Sequence, residues 1–511
     1  LLAVLIAPAV PAETLADAIS AAYDRNPTLV EQRYLQRARD ETYVQARSDY
    51  GPTLSIQSTG DYSSRRVINR TINSNSGEVR ATVQQPLYTA GRLRGALESA
   101  RSTVLAGQQG LRQVEQQTLQ NVIQVYAAVQ RDEARLEVAR QNMEVLRGQL
   151  QQNSTRQQKG DVTLTDVSQS QSRFFAAQQQ LAQVEADLAT SRGQYLQVVG
   201  HNPGTLEPLP QLPPIPVSID QAFARAEDQN PEVLAAKYDE QSTSATAASV
   251  RGERGPTVSL TGQALYSNRL LKFDGRDGSK EVVGGFTITQ PIFSSGAIES
   301  RVRQADARNY AAQARIDNAR RGVLQDVTSA WADLTSARTG LSTGQLQVNA
   351  AQQAFAGMSC EELNGLRSTI ETLNAERELQ DAQLTLLQYR FQLYVSHAAL
   401  LAAMGALSAP EIVANIAVYD PDANFRAVRH RWMTPLEYVS MGIDRIGSAA
   451  PRRPLSATLT GADVPTPNAS APMAPLPDDA TVHGRLVPIR DSKLRLPDGS
   501  VGRCPLGALQ R

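Results

Sequence analysis

The residues that most often carry chemistry are few and scattered in this chain. Its two cysteines, Cys360 and Cys504, stand far apart without CxxC spacing, so neither a zinc site nor a disulfide framework is expected. The four histidines, His201, His397, His430 and His483, form no HExxH or other paired arrangement and read as surface or packing residues. No phosphate-binding loop, nucleophile motif or convincing pair of catalytic acids is present. The sequence therefore predicts no enzyme and no cofactor. Charge narrows the partners too, because Lys+Arg 51 balances Asp+Glu 51, which argues against nucleic acid and against a polybasic membrane patch. The candidate functional residues that remain are turn and strand-end residues, singled out because they occur twice.

The repeat is the strongest feature. Asn26-Pro27 returns as Asn230-Pro231, and Gly51-Pro52 returns as Gly255-Pro256. Gln85-Pro86-Leu87-Tyr88 recurs as Gln290-Pro291-Ile292-Phe293, and Gly91, Tyr126, Gly160 and Gly200 match Gly296, Trp331, Gly365 and Gly405. The offset drifts by a single residue across half the chain, as a duplication requires. Each copy begins with an amphipathic helix broken at Asn-Pro (Thr14 to about Ser48; Ser218 to about Gly252). Two short alternating segments follow, then a very long helix, a turn containing glycine and a second long helix.

Proline is absent from Leu87 to Asn202 and from Ile292 to Ala409, as uninterrupted helices need. Leu111, Val114, Thr118, Val122, Val125, Val129, Leu136, Met143, Leu146 and Leu150 recur with three-four spacing, the mark of a coiled-coil seam. A helix from Gly91 to about Gln152 would be roughly 90 Å long at 1.5 Å per residue, the dimension of a rod. Low aromatic content, 5%, fits long helices better than one large compact core.

The alternating segments are predicted to be strands. In copy one, Leu54 and Ile56 alternate with Ser55 and Gln57, while Val79, Ala81 and Val83 alternate with Arg80, Thr82 and Gln84. In copy two the segments are Thr257 to Tyr266 and Val282 to Phe293. Each is long enough for a tilted strand to cross an outer membrane. Their connectors, Ser63 to Gly77 and Ser267 to Lys280, are polar and are expected to be exposed loops, and Pro86 and Pro291 mark the strand ends. Residues 1–12, LLAVLIAPAVPA, are too short to span a bilayer as a helix and end as a secretory leader does. Four strands cannot close a barrel, and an open edge in lipid leaves backbone groups unsatisfied, so oligomerisation is required. Three copies would supply roughly twelve strands, a workable barrel.

From Thr14 to Pro410 the chain resembles the TolC-like outer-membrane efflux and secretion channels. QPLYTAG (Gln85 to Gly91), QPIFSSG (Gln290 to Gly296), the Asn-Pro and Gly-Pro pairs and the two hairpin turns carry the likeness. GLRSTIETLNAERELQDAQ, from Gly365 to Gln383, is most similar to the branch serving type I protein secretion. The resemblance implies a mainly α fold with a small β part: a trimeric 12-stranded outer-membrane β-barrel joined to a periplasmic α-helical barrel. It also implies a homotrimer working with a periplasmic adaptor protein and an inner-membrane transporter of the ABC type, in the outer membrane of a Gram-negative bacterium. Arg367 stands where the family carries the arginine of a periplasmic gate lock, with Thr165 and Asp166 at its partners' positions. Glu371 and Asn374 fall at the acidic constriction, and Gly160 and Gly365 at the adaptor contacts. Two departures imply a weaker ring and a modified lock: Asn374 replaces an acid, and Cys360-Glu361-Glu362-Leu363 replaces the stretch that carries the family's tyrosine.

The expected organisation is a leader remnant (1–12), first repeat (13–203), linker (204–217), second repeat (218–410), equatorial tail (411–450) and disordered extension (451–511). Small-molecule (drug or metal) efflux is the alternative route. A periplasmic coiled-coil scaffold without a pore explains the helices and leader but not two membrane-length hairpins.

Overall fold

The computed structural model describes residues 12–269, 278–413 and 416–446. Residues 1–11 of the expected leader remnant, residues 447–450 of the expected tail and the whole C-terminal extension with Cys504 lie outside the described residues. Cys360, near the end of the first long helix of copy two, is not a free thiol.

Both copies fold on one plan. Copy one contains α1 (Leu15–Arg25), α2 (Pro27–Ser48), β1 (Thr53–Val67), β2 (Arg70–Tyr88), α3 (Arg92–Lys159) and α4 (Leu164–Val199). Copy two contains α5 (Ile219–Gln229), α6 (Pro231–Gly252), β3 (Thr257–Asn268), β4 (Ser279–Thr289), α7 (Ala297–Leu363) and α8 (Thr369–Ala403). Then come α9 (Ala409–Ile412), α10 (Pro421–Val428) and α11 (Pro435–Asp444). The duplicated residues do duplicated work. Asn26 and Asn230 each cap a helix whose first residue is proline, accepting from Thr28 N and Glu232 N. Gly91 and Gly296 enter the long helices in the left-handed conformation, and Gly160 and Gly365 leave them the same way. At 68 residues, α3 spans about 100 Å.

The four strands form one antiparallel sheet in the order β1-β2-β3-β4. Register decides its faces. Leu54 pairs with Val83, Ile56 with Ala81, Val258 with Ile288 and Leu260 with Phe286, so one face is apolar. The other carries Ser55, Gln57, Thr82, Gln84, Thr261 and Gln263. The apolar face is bare in the isolated chain: Ile56 is 72% exposed and Phe286 72%. The expected loop from Ser63 to Gly77 is instead mostly strand. β1 and β2 continue pairing to Val67–Arg70, across a two-residue turn in which Ile68 and Asn69 both have positive φ. Paired backbone and twist-compatible turn geometry outweigh the polar composition that suggested a loop.

Below the sheet, α3 lies between α2 and α6, and α7 packs beyond α6. Further down the order is α4, α3, α8, α7. The main core gathers where α1, α5 and the ends of α4 and α8 meet the middles of α3 and α7, around Tyr126, Tyr195, Leu334 and Leu400. Tyr126 donates to the carbonyls of Glu13 and Glu207, tying the N-terminus and linker to this waist. The copies meet closely at Gly95, where a Cβ would come within 2.5 Å of Ser249 N. Gly95→Val is therefore expected to cost about 1–3 kcal/mol by forcing α3 from α6. Thermal unfolding followed by circular dichroism checks this, and an unchanged midpoint would refute the tight seam.

Candidate functional site

The two hairpin tips, α3–α4 and α7–α8, bring the singled-out polar residues to one end of the rod. At the first tip Asp161 N bonds Arg156 O at 3.0 Å, closing the helix end behind Gly160. Thr163 then caps α4: Asp166 N donates to Thr163 Oγ1 at 3.2 Å, and Thr163 N donates to Asp166 Oδ2 at 2.9 Å. At the second tip, behind Gly365, Ser368 N donates to Glu371 Oε2 at 3.0 Å.

Within one chain Arg367 does not meet Thr165 or Asp166. Its Nε donates to Glu361 Oε2 at 2.9 Å and its Nη1 to Glu371 Oε1 at 3.0 Å. Asp166 is committed to its own cap, and Thr165 is exposed. The Ser368 backbone and hydroxyl, with Arg367, hold the Glu371 carboxyl below the usual glutamate range, while the hydrogen bonds to Glu361 and then to Glu371 raise Arg367. Glu371 thus stays charged, with a cation clamped on it. Asn374 accepts from Arg173 Nη2 at 3.1 Å, which links α8 to α4.

A second tie between the tips runs through residues to which sequence reading gave no role. Glu362 is buried, accepts from Thr369 Oγ1 at 3.0 Å and lies 3.7 Å from Arg156 Nη1 on the other hairpin. Its signal was the substituted Glu361-Glu362 pair itself, which puts two acids beside the arginine. Higher up, Glu376 is buried with Asn142, Phe355 and Leu379 in a cleft between α3, α7 and α8. It sits on the apolar stripe Leu373, Leu379, Ala382, Leu386, where a charged residue is a readable anomaly. Burial pushes its carboxyl up to about 7; the Arg173 guanidinium opposes this and the Asp381 carboxylate adds to it.

Of the described histidines, His397 bonds the Pro213 carbonyl at 2.9 Å, His201 meets Glu13 at 2.9 Å on the surface, and His430 is exposed. Among the described residues no group of acids, histidines and cysteines could hold a metal. No described helix is long and apolar enough to cross a membrane.

Comparison with known proteins agrees with this architecture. Residues 18–201 and 223–406, one stretch in each copy, match the family described as outer membrane efflux protein. The outer membrane efflux protein BepC of Brucella suis biovar 1 is 30% identical over 433 residues, 84% of this chain and 93% of that protein. The alkaline protease secretion protein AprF of Pseudomonas aeruginosa is 23% identical, covering 65% of this chain and 70% of its own length. The outer membrane channel CmeC of Campylobacter jejuni superposes with a TM-score of 0.71 at 14% identity, over 81% of this chain and 89% of its own.

The Glu376 carboxyl carries a pH dependence. Between its ordinary value of 4.5 and about 7 the folded chain holds a proton that the unfolded chain has lost. Stability therefore falls as pH rises through that window, and the loss is complete above it. Glu376→Gln is expected to leave the melting temperature near pH 5 unchanged and raise it by a few degrees at about pH 8. Equal shifts at both would mean that the buried carboxyl is not protonated.

Proposed function

The chain belongs to the outer membrane efflux protein family, the TolC-like channels of the outer membrane, and from that premise we propose that three copies form the exit duct of a tripartite export system. Members of this family are channels rather than enzymes, and the chain resides in the outer membrane with its helical part in the periplasm. The observation that carries the proposal is the pair of open sheet edges. β1 and β4 end the four-stranded order, and the sheet they bound has one apolar and one polar face. In lipid, each unpaired backbone group costs on the order of several kcal/mol, so β4 of one copy must pair with β1 of the next. Three copies close twelve strands, apolar outside and polar inside. The helical edges repeat the demand, because α2 and α7 end the layer below.

At the far end, three copies bring Arg367, Glu361 and Glu371 around one axis. In this reading Arg367 locks the mouth shut, and the adjacent subunit's tip, with Thr165 and Asp166, lies within reach of it. Glu371 and Asn374 form a constriction of reduced charge, and the turns at Gly160 and Gly365 receive the adaptor. The inner-membrane partner is then an ABC transporter, and the cargo a protein exported by type I secretion. Likeness to AprF, by name a protease secretion protein, and the turn sequence at Gly365 support this route. The second reading, small-molecule efflux, is favoured by the 30% identity to BepC, by name an efflux protein.

Purified protein in a planar bilayer is expected to give a small, cation-selective conductance that trivalent cations block from the helical side. Arg367→Ala, which frees both acids it clamps, should raise that conductance and its cation selectivity together, with Arg367→Lys partly restoring the wild type. A closed state unaltered in the alanine variant would remove Arg367 from the gate. Deleting the gene separates the routes: loss of one extracellular protein with unchanged drug sensitivity supports secretion, and the converse supports efflux.

A further inference from the structure

Helix α11 is built inside out. Its buried residues are Glu437, Ser440 and Asp444, three polar groups at helical spacing, while Leu436 (49%), Tyr438 (61%) and Val439 (54%) are exposed. A helix packed on a protein in water shows the opposite arrangement. The inward face is held by an ion pair and a set of hydrogen bonds. Glu437 pairs with Arg47 at 3.3 Å, both almost wholly buried. Ser440 Oγ accepts from Gln85 Nε2 and donates to the Pro86 carbonyl, each at 2.8 Å. Asp444 Oδ1 accepts from Thr89 N at 2.7 Å and from Gly91 N at 3.1 Å, and its Oδ2 accepts from Tyr50 OH. Polar contacts place this helix; its apolar side is left over.

Its position supplies the occupant. Pro86, Thr89 and Gly91 form the corner where β2 becomes α3, at the foot of the membrane-crossing sheet. Gln85, to which α11 is bonded, pairs with Leu260, and Leu260 with Phe286, so α11 lies on the apolar face of the sheet. The helix rests on β2 and α3 and is tied through Glu437 to Arg47 at the end of α2, while β1 and β4 are the open edges of the sheet. Just before α11, Trp432 is 87% exposed and is held at a φ of +59°, a conformation that bulky residues rarely adopt. Arg429, His430 and Arg431 beside it are exposed too. An aromatic and apolar stripe with basic neighbours, level with the foot of a barrel, is the chemistry of a membrane interface.

We propose that α11 and residues 429–432 form a lipid anchor in the periplasmic leaflet of the outer membrane. Trp432, Leu436, Tyr438 and Val439 enter the boundary between headgroups and acyl chains, a layer into which such helices sink by about 5–10 Å. Arg429 and Arg431 face lipid phosphates. The anchor fixes the corner of copy one against the membrane; among the described residues, no tail helix packs on the corresponding corner of copy two, Gln290 to Gly296. This rests on the reading that the sheet crosses the outer membrane.

The chain contains two tryptophans, Trp331 and Trp432, so Trp331→Phe leaves Trp432 as sole reporter. The full-length trimer is reconstituted into phosphatidylethanolamine and phosphatidylglycerol vesicles whose acyl chains are brominated near the glycerol. Trp432 should emit at blue-shifted wavelengths, lose most of its emission to the brominated lipid and resist aqueous iodide. Leu436→Ser with Val439→Ser should reverse a large part of that quenching. Trp432 quenched by iodide alone overturns the anchor. So does a Trp432 shielded from both quenchers, which would mean that a neighbouring subunit or residues 447–511 cover the stripe. Ile56→Trp, with both native tryptophans replaced by Phe, reports on the barrel separately. Lipid quenching there without quenching at Trp432 rejects the anchor and leaves the channel standing, whereas quenching at neither site rejects both.

Discussion

Backbone groups in a membrane must find partners within the protein, and this one constraint organises the molecule. A sheet of four strands satisfies its inner ladders, β1 to β2, β2 to β3 and β3 to β4, but leaves two edges unsatisfied. The helical layers inherit the same incompleteness, with α2 and α7 at the margins of the upper one and α4 and α7 at those of the lower. A chain built this way has no finished surface as a monomer. Exposed side chains such as Ile56, Phe286, Leu346 and Phe175 belong to that unfinished state. The duplication makes closure geometrically simple, since the contact between copies one and two within a chain is a template for the contact between chains.

The corners between strand and helix carry the next demand. Ala90 with Gly91, and Ser295 with Gly296, place two successive residues in the left-handed region so that the chain can turn from strand into helix. Such a corner exposes backbone N–H groups. In copy one Asp444 accepts two of them, which recruits the tail into the fold and explains how a helix with a polar buried face becomes stable. Departure from perfect repetition is therefore where this chain gains a feature its two halves do not share.

At the opposite end the interactions are exposed and weakly held, as the proposed gate would require. Arg367 bridges two acids of its own turn, so a large rearrangement needs only an exchange of partners. The buried tie from Glu362 to Thr369 and Arg156 holds the tips together beneath it. Glu376 adds a site whose charge can change near neutrality inside the same helical wall.

The sequence by itself determined the elements and their repetition. Asn-Pro, Gly-Pro and Gln-Pro pairs act through backbone geometry alone, and the apolar period of α3 acts through local spacing, so both are legible one residue at a time. The alternation of Leu54, Ile56, Val83 and Phe286 likewise revealed a two-faced sheet before any pairing was known. Tertiary structure decided the rest, because it depends on residues distant in sequence. Nothing local says that Ser63 to Gly77 would extend the hairpin, since strand pairing is settled by the partner strand. Nor does it say that Arg367 would turn to Glu361, because the choice among nearby carboxylates is set by how the tip folds. Asp444 reads as an ordinary surface acid until the chain brings it to Thr89 and Gly91. Only that approach turns the stripe of Glu437, Ser440 and Asp444 inward and leaves Leu436, Tyr438 and Val439 facing out.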